Sequence, residues 1–140
     1  MIGGVSIPHS RGLLGHSDAD VLVHAVMDAI LGALALGDIG EHFPDTKDEF
    51  EGADSLELLS RVQKIIEDKG YSCENLDSII IAEKPKLKSY IMELRENLTS
   101  VLKINIDLLS IKATTTEHMG FTGREEGIVA QAMVLLKSNN

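Results

Sequence analysis

The stretch HSDADVLVHAVMDAILGAL, residues 16–34, constrains the fold more than any other part of the chain. Val21, Leu22, Ala25, Val26, Ala29, Ile30 and Ala33 recur at the helical period, so the segment reads as a helix lying along a hydrophobic core. Asp20, His24 and Asp28 are spaced by four on the same cylinder. Residues at i and i+4 stack one above the other, so the three form a narrow polar stripe. A structural reading of that stripe is available, because an acid near a helix N-terminus is favoured by the dipole and an Asp–His pair adds about 0.3 kcal/mol. A chemical reading makes His24 a metal ligand whose second ring nitrogen is held by Asp20 or Asp28. One helix supplies one or two ligands, so the remainder would come from elsewhere in the chain.

The other segments fill in an α/β pattern. MIGGVSIP, residues 1–8, reads as a strand that starts abruptly and ends at a turn. Residues 36–55 carry glycines and many carboxylates and read as a long surface loop. A second helix is expected over 55–69, with Leu56, Leu59, Val62, Ile65 and Ile66 on one face, an Asp54-x-x-Glu57 start and Gly70 as the stop. LDSIIIAEKPKL is a short buried strand running into a turn, and residues 89–102 repeat the helical period. DLLSIKA and GIVAQAMVLL alternate as strands. The order predicts an α/β (α+β) sandwich, a mixed sheet with helices packed on one face.

Composition then limits the function classes. At 140 residues, 44% hydrophobic and 25% charged, the chain is expected to form one domain over its whole length. A net charge of -9, without a basic cluster or aromatic platform, argues against nucleic acid as a partner. The lone Cys73 forms no internal disulfide and suits a reducing compartment. There is neither an apolar run long enough to span a bilayer nor a signal peptide, so no membrane role is expected.

Three further segments carry polar chemistry. ATTTEHMGFTGREEG, residues 113–127, combines threonine hydroxyls with glycines that let backbone N–H groups approach an anion. A polar hairpin is the plainer account, and no known phosphate-loop spacing is present. AEKPKLK sets Lys84, Lys86 and Lys88 at a strand end, either meeting a ligand or capping a solvated turn. DIGEHFPDT offers carboxylates and glycines for recognition, or is an exposed connection.

Taken together, GGVSIP, GLLGHSDADVLVHAVMDAILGALALGDIGEHFPDT, IIIAEKPKL and IKATTTEHMGFTGREEGI resemble, in order and spacing, the 2-C-methyl-D-erythritol 2,4-cyclodiphosphate synthase family of the non-mevalonate isoprenoid pathway. The resemblance runs from Gly3 to about Leu136. It implies a lyase in which the 2-phosphate of a cytidine-diphosphate-linked methylerythritol attacks the β-phosphorus of the same molecule, expelling CMP. It also implies a homotrimer with sites between subunits, a zinc ion, and a second divalent ion, Mg²⁺ or Mn²⁺. Such metals would let an acidic protein hold an anionic substrate.

Carried over by position, His24 matches the zinc histidine and Glu117 the carboxylate of the second ion. His16 and Thr115 match the pair credited with transition-state stabilisation, and His16 with Ser17 also meets substrate phosphate. Asp38, Ile39 and Gly40, then Phe43, Pro44, Asp45, Thr46 and Lys47, match the segments that touch the methylerythritol part. The family often has Asp where Lys47 stands, so one polar contact departs from the family pattern. Ala82, Glu83, Lys84, Pro85, Lys86, Leu87 and Lys88 match the cytidine and phosphate pocket, together with Thr114, Thr115, Thr116 and Glu117. Phe121 and Arg124 match further binding positions.

The family's other zinc ligands lie in an Asp-x-His motif before the GGV segment, and no Asp-x-His occurs in these 140 residues. The chain is therefore expected to be truncated or incompletely represented at its N-terminus, and His24 alone to hold zinc poorly. A bacterial cytoplasmic enzyme, or a plastid stromal one lacking its transit peptide, fits the resemblance. A non-catalytic relative that binds CMP or an isoprenoid diphosphate, a structural trimer-forming domain and a metal-dependent phosphohydrolase are the rival readings. CMP affinity without product would mark the first, and release of inorganic phosphate rather than CMP the last.

Overall fold

The computed structural model describes residues 2–5, 7, 20–44, 55–84 and 86–140. Helix α1 spans Val21–Ala33, with Asp20 as its N-cap accepting from the amide of Val23. The described helix thus begins at Val21, so Asp20 caps the cylinder rather than sitting on its side. An acidic N-cap satisfies an amide that has no partner within the helix, and this favours the later start. A short helix, α2 (Ile39–His42), lies within the segment read as a loop. Helix α3 spans Ser55–Asp68, and Leu58, Leu59, Val62 and Ile66 are buried along it.

Strand β1 follows at Tyr71–Ile81, longer than its hydrophobic run because it includes the more polar residues 71–75. A 3₁₀ turn, Lys88–Tyr90, leads into α4 (Ile91–Leu102), which closes on Lys103 in a left-handed conformation. A second 3₁₀ turn, Ile106–Leu108, feeds β2 (Leu109–Thr114). The four-residue helix α5 (Gly120–Gly123) separates β2 from β3 (Val129–Ser138). Both carboxyl-proximal strands lie where alternation predicts them.

The sheet has the order β2-β1-β3, with β1 parallel to β2 and antiparallel to β3. In register, Leu76 and Ile80 of β1 lie beside Leu109 and Ala113 of β2 and Val134 and Ala130 of β3. That face receives the helices, with α1 over β3, α3 against β1 and α4 against β2. Leu22, Val26, Met27, Ile30, Leu59, Val62, Ile66, Leu94 and Leu98 are fully buried between the layers. The mixed α/β architecture with one covered face agrees with the expectation. On the opposite face Asp77, Lys112, Met133 and Leu135 are exposed, with Met133 at 77% and Leu135 at 56%. Cys73 is buried in the core, and that burial pushes its thiol up to about 11.

The N-terminal strand needs correction. Ile2 and Val5 pair across a tight turn through Gly3 and Gly4, both at positive φ. Leucines crowd the space a Cβ would take at either glycine, so the turn admits no larger residue without rearrangement. Asp20 receives the amides of Gly3 and Gly4 at 2.8 and 2.7 Å, and Asn97 donates to the Gly3 carbonyl at 3.0 Å. The turn is therefore fastened to the start of α1 and to α4.

Candidate functional site

Strands β1 and β2 run parallel and end together, at Ile81 and Thr114. Ligands in open α/β sheets gather beyond the carboxyl ends of parallel strands, because the following loops diverge there and leave a crevice. Such a crevice is present. Ala82, Glu83, Lys86, Leu87, Lys88, Ala113, Thr114 and Thr115 line a cavity of about 230 Å³. The Ala82 amide donates to the Thr114 carbonyl at 3.0 Å and closes its base. Leu87 is buried as an apolar wall, whereas Lys86 and Lys88 are exposed at the rim. Most of the residues expected to form one pocket are thus brought together from segments about thirty positions apart.

The threonine turn is built from its own hydroxyls. Thr115 Oγ1 accepts from the Glu117 amide at 3.2 Å, and Thr116 Oγ1 donates to the Met119 carbonyl at 2.6 Å and meets Thr122 Oγ1 at 3.0 Å. Thr115 and Glu117 remain exposed, while Thr116 is half-buried and Thr122 buried. Gly123 packs directly on the His118 backbone, where a Cβ would collide. Phe121 is half exposed, and Arg124 forks onto Glu126 at 2.8 and 3.2 Å, a hydrogen bond and charge that raise its pKa further. Lys84 lies 3.8 Å from Glu125.

A second group forms around α1. His24 and Asp28 lie one turn apart on its exposed side and, with Val21, Ala25 and Ala130, line a cavity of about 250 Å³. Asp28 Oδ1 accepts the Ile39 amide at 3.1 Å, which ties α2 to the histidine-bearing turn. Asp38 caps α2 through the Glu41 amide at 3.1 Å, Ile39 is buried, and Gly40, Phe43 and Pro44 continue the same segment. Asp20 does not belong to this group. Its carboxylate is 2% exposed and committed to Gly3, Gly4, Val23 and Ser55, so of the two acids considered as partners of His24 only Asp28 shares its cavity.

Among the described residues, no three His, Cys, Asp or Glu side chains are grouped so that they could hold a metal ion. His24 and Asp28 offer two donors at most, fewer than a zinc ion takes, and Glu117 stands in the other group. The described residues of one chain therefore do not complete a metal centre. The two groups also line separate cavities. His16, Ser17, Asp45, Thr46, Lys47 and Pro85 lie outside the described residues. Sequence reasoning missed the tie from Asp28 to α2 and one from Glu83 to the threonine turn, neither of which leaves a spacing signal.

Residues 1–137 match the model of the YgbB family. The chain belongs to that family. A protein from Clostridioides difficile named 2-C-methyl-D-erythritol 2,4-cyclodiphosphate synthase is 60% identical over 97% of this chain and 84% of its own length. A synthase of the same name from Desulfitobacterium hafniense is 57% identical over 97% of this chain and 86% of that protein. Of solved structures, the bifunctional IspDF from Campylobacter jejuni superposes with a TM-score of 0.91 at 42% identity. This chain is covered to 99% there and spans 37% of that longer protein. IspF from Plasmodium falciparum in a CDP complex superposes with a TM-score of 0.81 at 32% identity, covering 100% of this chain and 84% of that one.

Proposed function

We propose that the chain converts 4-diphosphocytidyl-2-C-methyl-D-erythritol 2-phosphate to 2-C-methyl-D-erythritol 2,4-cyclodiphosphate and CMP. An oxygen of the 2-phosphate attacks the β-phosphorus, and the bond from that phosphorus to the oxygen bridging it to the α-phosphorus breaks, so that CMP departs with the bridging oxygen. The observation that carries this reading is the lysine-rimmed cavity where β1 and β2 end, in a chain 60% identical to a synthase of that name. Relatives named as synthases favour it over a non-catalytic binding protein.

Because both reacting groups belong to one substrate, the protein's task is to fold that molecule back on itself and offset its charge. In this reading Leu87 supports the cytosine, and backbone polar groups of residues 82–88 and 114–117 read its edge and bind phosphate. Lys86 and Lys88 offer positive charge at the cavity rim of an otherwise acidic protein, and Lys84 and Arg124 add theirs on leaving Glu125 and Glu126. The exposed Thr115 hydroxyl lies beside the cavity, where a donor can meet charge developing on phosphate oxygen. Asp38, Ile39, Gly40, Phe43, Pro44, Asp45, Thr46 and Lys47 hold the methylerythritol part, His16 and Ser17 a phosphate, and Phe121 a further contact. Zinc held partly by His24, and Mg²⁺ or Mn²⁺ held by Glu117, would supply charge neutralisation when bound.

The chain acts as a homotrimer, in which the His24 group of one copy faces the threonine turn of another. Support comes from the separation of the two cavities within one chain and from the exposed Met133 and Leu135 on the uncovered sheet face. We place it in the bacterial cytoplasm, in keeping with relatives from Clostridioides and Desulfitobacterium. No helix among the described residues is long and apolar enough to cross a membrane. Mass spectrometry of the products from the cytidine-linked substrate tests the function. Cyclic diphosphate and CMP in equal amounts are expected, and release of inorganic phosphate instead would overturn it.

A further inference from the structure

Glu83 leaves the end of β1 with its side chain only 6% exposed. Its Oε1 accepts the backbone N–H of His118 at 2.7 Å and lies 3.3 Å from Nδ1 of the same residue. Its Oε2 is buried and, among the described residues, makes no hydrogen bond. A carboxylate oxygen stripped of water without a partner is costly, so this placement is not explained by general stability. What Glu83 grips is unusual. Glu117 and His118 are consecutive left-handed residues, with φ of 54° and 66°, a conformation that side chains with a Cβ seldom adopt.

We propose that Glu83 is a positioning residue, a brace that holds the threonine turn in its left-handed form and so sets Thr115 and Glu117 against the loop of residues 82–88. The inference rests on the function proposed above and changes the role of one residue within it: Glu83 binds backbone rather than substrate. The brace joins the two walls of the lysine-rimmed cavity, since Glu83 belongs to one and the turn continues from Thr114 and Thr115 in the other. Gly123, packed on the His118 backbone from another side, confines the turn further. The amide requires an acceptor and not a charge. Glutamine at position 83 keeps an acceptor oxygen, whereas alanine and methionine do not, and methionine preserves the volume so that no void forms.

The test compares Glu83→Gln, Glu83→Met and Glu83→Ala with the native chain. Amide hydrogen exchange over residues 115–119 and CMP affinity by calorimetry are measured, with thermal unfolding alongside to establish that each variant is folded. Glu83→Met and Glu83→Ala are expected to speed exchange at His118 and weaken CMP binding by about tenfold each, the equivalent of one lost hydrogen bond. Glu83→Gln is expected to stay within about threefold of native in both. Native exchange at His118 in folded Glu83→Met overturns the brace, as does a Glu83→Gln variant that behaves like the methionine one. A native chain that does not bind CMP counts against the proposed function instead, and exchange still decides the brace.

Discussion

Donors from three separate segments converge on the carboxylate of Asp20: the amides of Gly3, Gly4 and Val23 and the hydroxyl of Ser55. Replacing it with alanine leaves those groups buried and unsatisfied, and each such loss costs about 1–3 kcal/mol. Asp20→Ala is expected to lower stability by about 3 kcal/mol or more, read as a shift of the urea midpoint. Thr115 belongs to the opposite category, exposed and peripheral to the core. Thr115→Ala should leave that midpoint within about 0.5 kcal/mol of native while reducing turnover by about 100-fold, the scale for removing one donor to developing charge. Steady-state kinetics beside unfolding curves separate the two outcomes. Local sequence marked both residues as polar positions worth explaining. It could not distinguish them, because Asp20 is claimed by partners as distant as Ser55, and Glu83 by His118, thirty-five positions away.

Among the elements, α3 and α4 illustrate what periodicity reveals and what it hides. Their apolar faces were legible because Leu59, Val62, Leu94 and Leu98 recur at helical spacing and all end buried. The first half of β1 was not, since the register shifts between Cys73 and Asn75 and breaks the alternation on which a strand reading depends. The tie between α3 and α4 was equally silent: Lys103 donates to Glu67 at 2.9 Å, and Gln63 to the same oxygen at 3.1 Å. The Lys103 hydrogen bond, followed by that of Gln63, holds the Glu67 carboxyl below its ordinary 4.5. A carboxyl depressed by folding contributes stability that is present above its unfolded value and is lost as pH falls through the folded one. Glu67→Gln should therefore flatten the decline in urea midpoint below about pH 4.5. The effect will be small and weaker in high salt, because the pair faces solvent.

At the scale of the whole molecule, helices among the described residues clothe the sheet on one side only. Met133 and Leu135 stand exposed on the other, near the Asp77–Lys112 pair at 2.9 Å. Light scattering is expected to report three times the 15.2 kDa chain mass, and Met133→Glu to yield monomers that keep their helical circular dichroism. A trimer persisting in that variant would remove the sheet face from the contact. If copies join through the half-clothed sheet, as proposed, concentration also becomes a variable of catalysis. Where neighbouring copies each contribute one wall of a reaction chamber, dilution dismantles the chamber before it unfolds any protomer, so specific activity would sag in very dilute assays and recover when inactive but assembly-competent chains are added.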